Sequence, residues 1–546
     1  MIASSTKVEA NSHLSADVII AGAGAAGIVL AKRLAESGRS VILLEGGGLE
    51  ADESSQSLYQ GVIVGQPTDP TDASRLRFFG GTTNHWGGWC RPLEAHDFQK
   101  RADWPESGWP IARADLDPYY KDAAKLCGLG PTSFDDVSFW QRQKSGGDYT
   151  EFPFDPDLLK TALFQISQFY NFGQTHKPAL AAAPNLKVLL NANALELLPA
   201  HASRKDQARK SIGAIRVRRN DKQTFTVSGR AYVVALGGLE TARMLLLSDK
   251  VHPAGAGNEN DLVGRYFMDH PWLTEACYLR FPHRGFSAPL YFGLPYPQKI
   301  DGAMVFGAAA SAPGLPQREK TGGFRFLFYP SNVSTDGTSS ARTLLDDFKH
   351  GKWPDHLGQH LGNIFADMDV LASATYKSVT GSRQSPFQES GSGAAVGAFV
   401  DLTFEQRPNR DSRVMLDRSL DVFGQRRLKL DWRLGETDKR TAMRALDIAA
   451  HEFSRAGLGR SRIRIDVGNG KPWPPELRGS CHHSGTARMA DDPKMGVVNA
   501  DCRVHSTDNL YIAGSAVFPT QGYVNPTLTI VALACRLADH LTRVLA

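Results

Sequence analysis

At 546 residues the chain is longer than one hydrophobic core usually organises, so two or more domains are expected. An apolar fraction of 42% and a charged fraction of 22% are those of an ordinary globular protein, and a formal charge of +5 is too small for an electrostatically driven nucleic-acid surface. The cysteines Cys90, Cys127, Cys277, Cys481, Cys502 and Cys535 show no CxxC, CxxCH or zinc spacing, which argues against a metal cluster, a c-type haem and a disulfide framework.

The leader from Met1 to Ser15 is polar, contains Glu9 and lacks an apolar segment of the kind a secretory signal needs. No apolar run of about 18 residues suggests a membrane span. A cytoplasmic location is the expectation. Asp17-Val18-Ile19-Ile20 then reads as a buried parallel strand, followed at once by Gly22-Ala-Gly24-Ala-Ala-Gly27. From Ala25 to Ser37 the residues Ile28, Ala31, Leu34 and Ala35 recur at helical spacing, and Gly38 ends the helix. A second strand, Ser40 to Leu44, ends at Glu45.

Each residue type in this unit has a physical task. Gly22 permits the tight turn, Gly24 lets the backbone approach a pyrophosphate, and Gly27 lets helix and strand pack closely. The helix start, with Ala25 and Ala26, offers unpaired N–H groups to phosphates. Glu45 stands where a carboxylate can accept hydrogen bonds from ribose hydroxyls. The pattern predicts dinucleotide binding. Its place near the N-terminus, with further pieces of the same domain much later, points to FAD over NAD.

Those later pieces begin with the predicted strand Leu186 to Leu190, with Ala194 just beyond it. Ser203 to Lys210 is basic and reads as a solvated hairpin turn between Leu186–Leu190 and the strands of Ser211 to Val227. After Ala231, Tyr-Val-Val-Ala-Leu-Gly237-Gly238 is a buried strand and a turn leading into an apolar helix. Phe286 to Tyr329, rich in Phe and Tyr, suits a lid or an apolar core, and core is the preferred reading. Thr335 to Ser340 and Glu389 to Gly397 read as surface turns. Near the end, Asn509 to Ser515 is a strand closing on Gly514. A helix follows from Pro526 to Leu541, with Pro526 at its first position and an apolar face of Leu528, Val531, Ala532, Cys535, Ala538 and Leu541. No internal repeat is present. One nucleotide domain is therefore expected from residues 14–110, 185–270 and 475–546, with 111–184 and 271–474 forming a substrate domain.

The order of these pieces resembles the glucose-methanol-choline (GMC) oxidoreductases over essentially the whole chain. Three blocks carry the resemblance: the N-terminal unit, the loop Gly80-Gly81-Thr82-Thr83-Asn84-His85-Trp86-Gly87-Gly88, and Ser480-Cys-His482-His483-Ser-Gly485-Thr486 with Asn525-Pro526-Thr527. The runs Val263-Gly-Arg-Tyr-Phe-Met-Asp-His270-Pro and His482-His483-Ser-Gly-Thr are closest to the pyranose-oxidase and sugar- or glycoside-dehydrogenase branch. The implied fold is α/β: a Rossmann-like FAD-binding domain assembled from discontinuous segments, plus an α+β substrate-binding domain with an antiparallel sheet. The resemblance makes the glycine-rich loop, with Gly81, Thr82, Asn84, His85 and Gly88, lie against the flavin. It adds Gly237, Gly514, Ser515, Asn525, Pro526 and Thr527, and with them Ala194, to the cofactor contacts. It also makes His482 the general base and Asn525, 43 residues further on, its partner. His483 remains the alternative base. His96, His270 and His505 carry only a structural reading.

The implied activity is oxidation of an alcohol on a sugar, glycoside or polyol-like molecule. FAD receives the hydride and passes electrons to oxygen or a quinone-like acceptor. Histidine, with a near-neutral pKa, can take the hydroxyl proton, and the Asn525 amide can donate to the developing alkoxide. The resemblance permits a covalent bond from His85 to the flavin, although non-covalent holding is the preferred reading. Trp86 and Trp89 are packing residues or part of the flavin wall. Oxidation of an aromatic primary alcohol, a non-redox lyase on the same scaffold, and a flavoprotein without turnover are the rival readings.

Overall fold

The computed structural model describes residues 1–143, 149–200, 210–282, 286–292, 298–300, 302–331, 336–366, 368, 395–468 and 470–546. The apolar run predicted as the first strand is the inner part of His13–Ala21, and Val18 to Ala21 are fully buried. Burial on both faces is what a continuous β-branched run favours, and it places this strand in the middle of a parallel sheet. The sheet runs Ile2–Ser4, Leu186–Leu190, Val41–Leu44, His13–Ala21, Thr224–Val234, Ile212–Arg219, Ala192–Pro199. The pairs from Ile2–Ser4 through Thr224–Val234 are parallel, whereas the last two strands join antiparallel.

Thr224–Val234 changes partner along its length. Its first half pairs antiparallel with Ile212–Arg219, and Tyr232 to Val234 pair in parallel with Leu510–Ile512. The C-terminal strand is thereby placed one strand away from His13–Ala21, with Thr224–Val234 between them. Helix Ala25–Glu36 packs against the terminal helix Thr527–Val544, which in turn packs on Arg113–Leu126. Arg33 bridges all three through Asp122 at 2.8 Å and Asp539 at 3.1 Å. Helix Phe172–Ala182 also packs on Ala25–Glu36. Residues 113–126 and 172–182, read as substrate domain, thus pack on the helices of the nucleotide unit.

A second sheet, antiparallel throughout, runs Arg460–Ile463, Pro271–Arg280, Gly397–Phe404, Phe324–Ser331, Ala303–Ser311, Leu159–Ile166, Trp89–Cys90. Helix Glu436–Arg455 lies on it, burying Ala442, Ala445, Ala449 and Phe453 at helical spacing. The Phe286–Tyr329 segment supplies core, as Tyr291, Phe306, Phe324, Phe326 and Phe328 are all buried. A small third sheet joins Gly61–Gly65 to Arg426–Trp432 and Arg413–Leu420.

Two readings need correction or limits. The expected turn at Thr335 to Ser340 is, from Asp336 on, the start of helix Asp336–Lys349, which buries Leu344 and packs on helix Leu357–Ala366, a tertiary contact that outweighs the local Gly and Ser signal. The basic stretch Ser203–Lys210 lies outside the described residues except Lys210, as does the Gly/Ser-rich stretch up to residue 394. The six cysteines are free thiols. Among the described residues no helix is long and apolar enough to cross a membrane, and no cluster of three or more His, Cys, Asp or Glu could hold a metal ion.

Candidate active site

Parallel strands create a crevice beyond their carboxyl ends. Here the residues directly after Ala21, Leu44, Val234 and Ile512 all face one cavity of about 550 Å³. Gly22 to Ala26, Glu45 and Gly46, Ala235 to Gly238, and Ala513 to Ser515 form one wall. The loop residues Gly81, Thr82, His85, Trp86, Gly88 and Trp89, with Ala194, form another. His482, His483, Asn525, Pro526 and Thr527 close the far end.

The backbone of this cavity fits a dinucleotide. Helix Ala25–Glu36 begins at Gly24 without a side-chain cap, so its first N–H groups are open to a phosphate. A Cβ at Gly24 would meet nothing within 4 Å, which leaves room for close approach of a ligand. Gly237 and Gly514 are similarly open and have φ of 72° and 119°, where larger residues are strained. Glu45 accepts from Ala23 N at 3.0 Å and Gly47 N at 2.9 Å. Burial raises its carboxyl above the usual range, opposed by those N–H groups and by Arg77.

Two expected contacts do other work. A Cβ on Gly27 would collide with the Gly22 carbonyl, so Gly27 serves close packing and does not line the cavity. Asn84 turns inward and donates to Phe79 O at 3.0 Å and Gly81 O at 2.9 Å, which braces the glycine-rich loop. Tyr59, Arg75, Arg77 and Glu240 also line the cavity, although no motif announced them. Arg75 is held over the Tyr59 ring at 4.0 Å and pairs with Glu240 at 3.4 Å. His85 is exposed on the loop wall of the cavity, and partial desolvation lowers its pKa.

The two catalytic candidates from the C-terminal block meet. His482 Nε2 lies 3.1 Å from Asn525 Nδ2. The turn that carries His482 is pinned by Asp269, whose carboxylate accepts from His482 N at 2.8 Å, His270 N at 2.8 Å and Cys481 N at 3.1 Å. Gly485, at φ 84°, lets the chain pass under the Tyr266 carbonyl, and Thr486 donates to Gly238 O. This is why Gly-Thr follows the histidines. Helix Thr527–Val544 starts at the cavity, so its positive end faces the same space.

Burial pushes His482 well below the ordinary histidine value, and His270, Arg325 and His483 push in the same direction. His483 is lowered to about 3 by burial and by Arg75; its ring packs 5.7 Å from Phe267. His505 is satisfied by Ala490 O at 2.9 Å, as its structural reading requires. His270 is buried too, but its ring bonds directly to His482, Nδ1 to Nδ1 at 2.8 Å. The reading of His270 as a plain core histidine missed that contact.

Comparison with known proteins agrees with this architecture. A model of the GMC oxidoreductase family matches residues 408–534, and a model of an FAD binding domain matches residues 17–74. The fructose dehydrogenase large subunit of Gluconobacter japonicus is 23% identical, over 97% of this chain and 98% of its own. Paromamine 6'-oxidase of Streptomyces fradiae is 25% identical, over 96% of this chain and 90% of its own. In fold, the crystal structure of pyridoxine 4-oxidase from Mesorbium loti superposes with a TM-score of 0.51 at 16% identity, covering 96% of this chain and 98% of that one. With one segment that matches an FAD binding domain and a C-terminal segment that matches the GMC oxidoreductase model, the protein is an FAD-dependent oxidoreductase whose full-length relatives include sugar and aminoglycoside oxidoreductases.

Proposed function

We propose that the protein oxidises an alcohol group of a sugar, glycoside or polyol-like substrate to a carbonyl, with His482 as general base. The observation that carries this is the His482–Asn525 pair at 3.1 Å on the wall of the cavity. Relatives named for fructose and paromamine support a carbohydrate-like substrate. Bound FAD supplies the hydride acceptor, and oxygen or a quinone-like molecule takes the electrons onward.

The chain's own residues prepare the alcohol. A neutral His482 offers the Nε2 lone pair to the hydroxyl proton, which must be leaving before the carbon releases hydride. Nε2 has one lone pair, so the substrate hydroxyl takes the place of the Asn525 amide on it, and the released Nδ2–H donates to the substrate oxygen as negative charge develops. Gly22, Gly24, Ala25, Ala26, Glu45, Gly81, Thr82, His85, Gly88, Ala194, Gly237, Gly514, Ser515, Pro526 and Thr527 are assigned to hold the cofactor without a covalent bond. Residues 14–110, 185–270 and 475–546 are assigned to that domain, and 111–184 and 271–474 to the substrate domain.

The test is anaerobic mixing of the holoenzyme with sugars, glycosides and aromatic alcohols while flavin absorbance is followed. Bleaching by the first two classes is expected, and admission of air then identifies oxygen as acceptor or eliminates it. His482→Ala should slow bleaching by about 10²–10⁴-fold and Asn525→Ala by roughly 10²-fold, with bound FAD unchanged. If His483→Ala gives that loss and His482→Ala does not, the base is His483.

A further inference from the structure

Asn525 and His482 sit inside a longer chain of hydrogen bonds, and both of its ends have fixed polarity. At one end Arg325, fully buried on strand Phe324–Ser331, places Nη1 2.8 Å from Asn525 Oδ1. At the other end His270 Nε2 lies 2.8 Å from the Gly522 carbonyl oxygen. Between them run Asn525 Nδ2 to His482 Nε2 at 3.1 Å and His482 Nδ1 to His270 Nδ1 at 2.8 Å.

A guanidinium has only donors, so the Asn525 atom that it meets is the oxygen and the amide nitrogen must face His482. That nitrogen donates, so His482 Nε2 is the acceptor and carries no proton. The neutral ring then has its proton on Nδ1, which donates to His270 Nδ1. His270 must therefore hold its own proton on Nε2, where it donates to Gly522. Read from the other end, a carbonyl only accepts, and the same assignment follows in reverse. The two ends agree at every atom.

We propose that His270 and Arg325 are positioning residues that lock His482 in the Nδ1–H tautomer and so keep Nε2 free of a proton, as the acceptor that a substrate hydroxyl takes over from Asn525. This rests on the reading of His482 and Asn525 as the catalytic pair. Neither residue lines the cavity. Both belong to the segments that build the second sheet, since His270 directly precedes strand Pro271–Arg280. Burial lowers the Arg325 guanidinium to about 10, and its Nη1–H is committed to Asn525 Oδ1. Without His270 the His482 ring would lose the acceptor that keeps its proton on Nδ1. Without Arg325 the Asn525 amide could turn over and present its oxygen, drawing a proton onto Nε2. Either loss puts a hydrogen where the lone pair must be.

The decisive measurement needs no substrate. Holoenzyme labelled with ¹⁵N-histidine gives ring ¹⁵N shifts and couplings that distinguish Nδ1–H from Nε2–H imidazole, and loss of signals in His482→Gln and His270→Gln assigns them. The expected spectrum at neutral pH shows His482 protonated on Nδ1 alone and His270 on Nε2 alone. His482 protonated on Nε2, or on both nitrogens, overturns the proposal. His270→Leu should move His482 to a mixture of tautomers and slow alcohol-driven bleaching by roughly 10–100-fold, part of the contribution of a positioned base. His270→Asn, which keeps an acceptor oxygen near the old Nδ1, should recover most of that loss. An unchanged His482 tautomer in His270→Leu overturns the locking role. Arg325→Met tests the opposite end by the same signature, and the wild-type spectrum decides even if a variant fails to fold. The two readings fail differently. If the tautomers are as assigned but His482→Ala bleaches normally, the base assignment falls; if His482→Ala is dead and His482 carries its proton on Nε2, the positioning falls alone.

Discussion

At the scale of single residues, the site depends on keeping histidine uncharged. The groups facing His482 are His270, Arg325 and His483, and with burial they all disfavour a second proton on its ring. His270 is itself held down to about 3, first by burial and then by Arg325. Protonated His482 cannot accept from an alcohol, so activity is lost only when pH falls through its depressed value. The limiting rate of flavin bleaching should therefore stay level from pH ~8 through the ordinary histidine value of ~6.5, bending only on the acid side of it. Stopped-flow bleaching across that range checks this. A bend centred at or above ~6.5 would sink the idea that a buried neutral histidine is the base.

At the scale of elements, the first strand, turn and helix make a differential prediction. Gly24 and Gly27 belong to the same motif, yet only Gly24 faces the cavity, with φ of −78° and nothing within 4 Å of an added methyl. Gly24→Ala should leave the apoprotein's Tm within the effect of about 0.5 kcal/mol expected of a strain-free change, while weakening FAD binding. Gly27→Ala forces the helix off the strand and should lower the apoprotein's stability by about 1–3 kcal/mol. Thermal melts of the apoproteins and FAD titrations separate the two. Equal effects on both measurements would mean that the glycines do one job.

This unit was legible because its signals are local. Strand, glycine turn, helix and second strand lie within some thirty residues, and the observed helix Ala25–Glu36 and strand Val41–Leu44 match the periodicity to within a residue. The terminal helix starts one residue later than expected, with Pro526 as its cap. What could not be read lies in long-range pairing. His270 and His482 are 212 residues apart, and Arg325 and Asn525 are 200 apart. No period or motif links such residues. Only the register of the second sheet against the C-terminal turn does so.

At the scale of the whole molecule, buried ionisable groups pull stability in opposite directions. Below ~6.5 an unfolded chain binds protons on His270, His482 and His483 that the fold excludes, so these groups make stability fall on acidification. Asp97, Asp269, Glu405 and Asp438 are raised to about 7, chiefly by burial. Between ~4 and ~7 they keep protons that an unfolded chain has released, so their contribution is lost as pH rises. Each group contributes a slope of about 1.4 kcal/mol per pH unit within its window, and the two sets largely offset each other. Asp97→Asn removes one carboxyl from the balance. Relative to the parent, its urea midpoint should climb between pH ~5 and ~6.5, because the histidines then dominate the slope. An unaltered slope would mean that Asp97 is already ionised in the fold at the acid end.

The strand Thr224–Val234 has a consequence for how the protein is made. Its final edge is completed by Leu510–Ile512, so a nascent chain that has emerged past residue 234 still lacks the neighbour of Tyr232 to Val234. At a translation rate of ~5–20 residues per second, that edge waits on the order of 15–60 s for its partner. His482, Asn525 and the helix Thr527–Val544 are made in the same late stretch as that partner strand. The cavity therefore closes only once the chain has emerged past these residues. Until then an unpaired strand edge and an unfinished nucleotide crevice remain open to chaperones, to aggregation, and to the first molecule of cofactor that can hold them together.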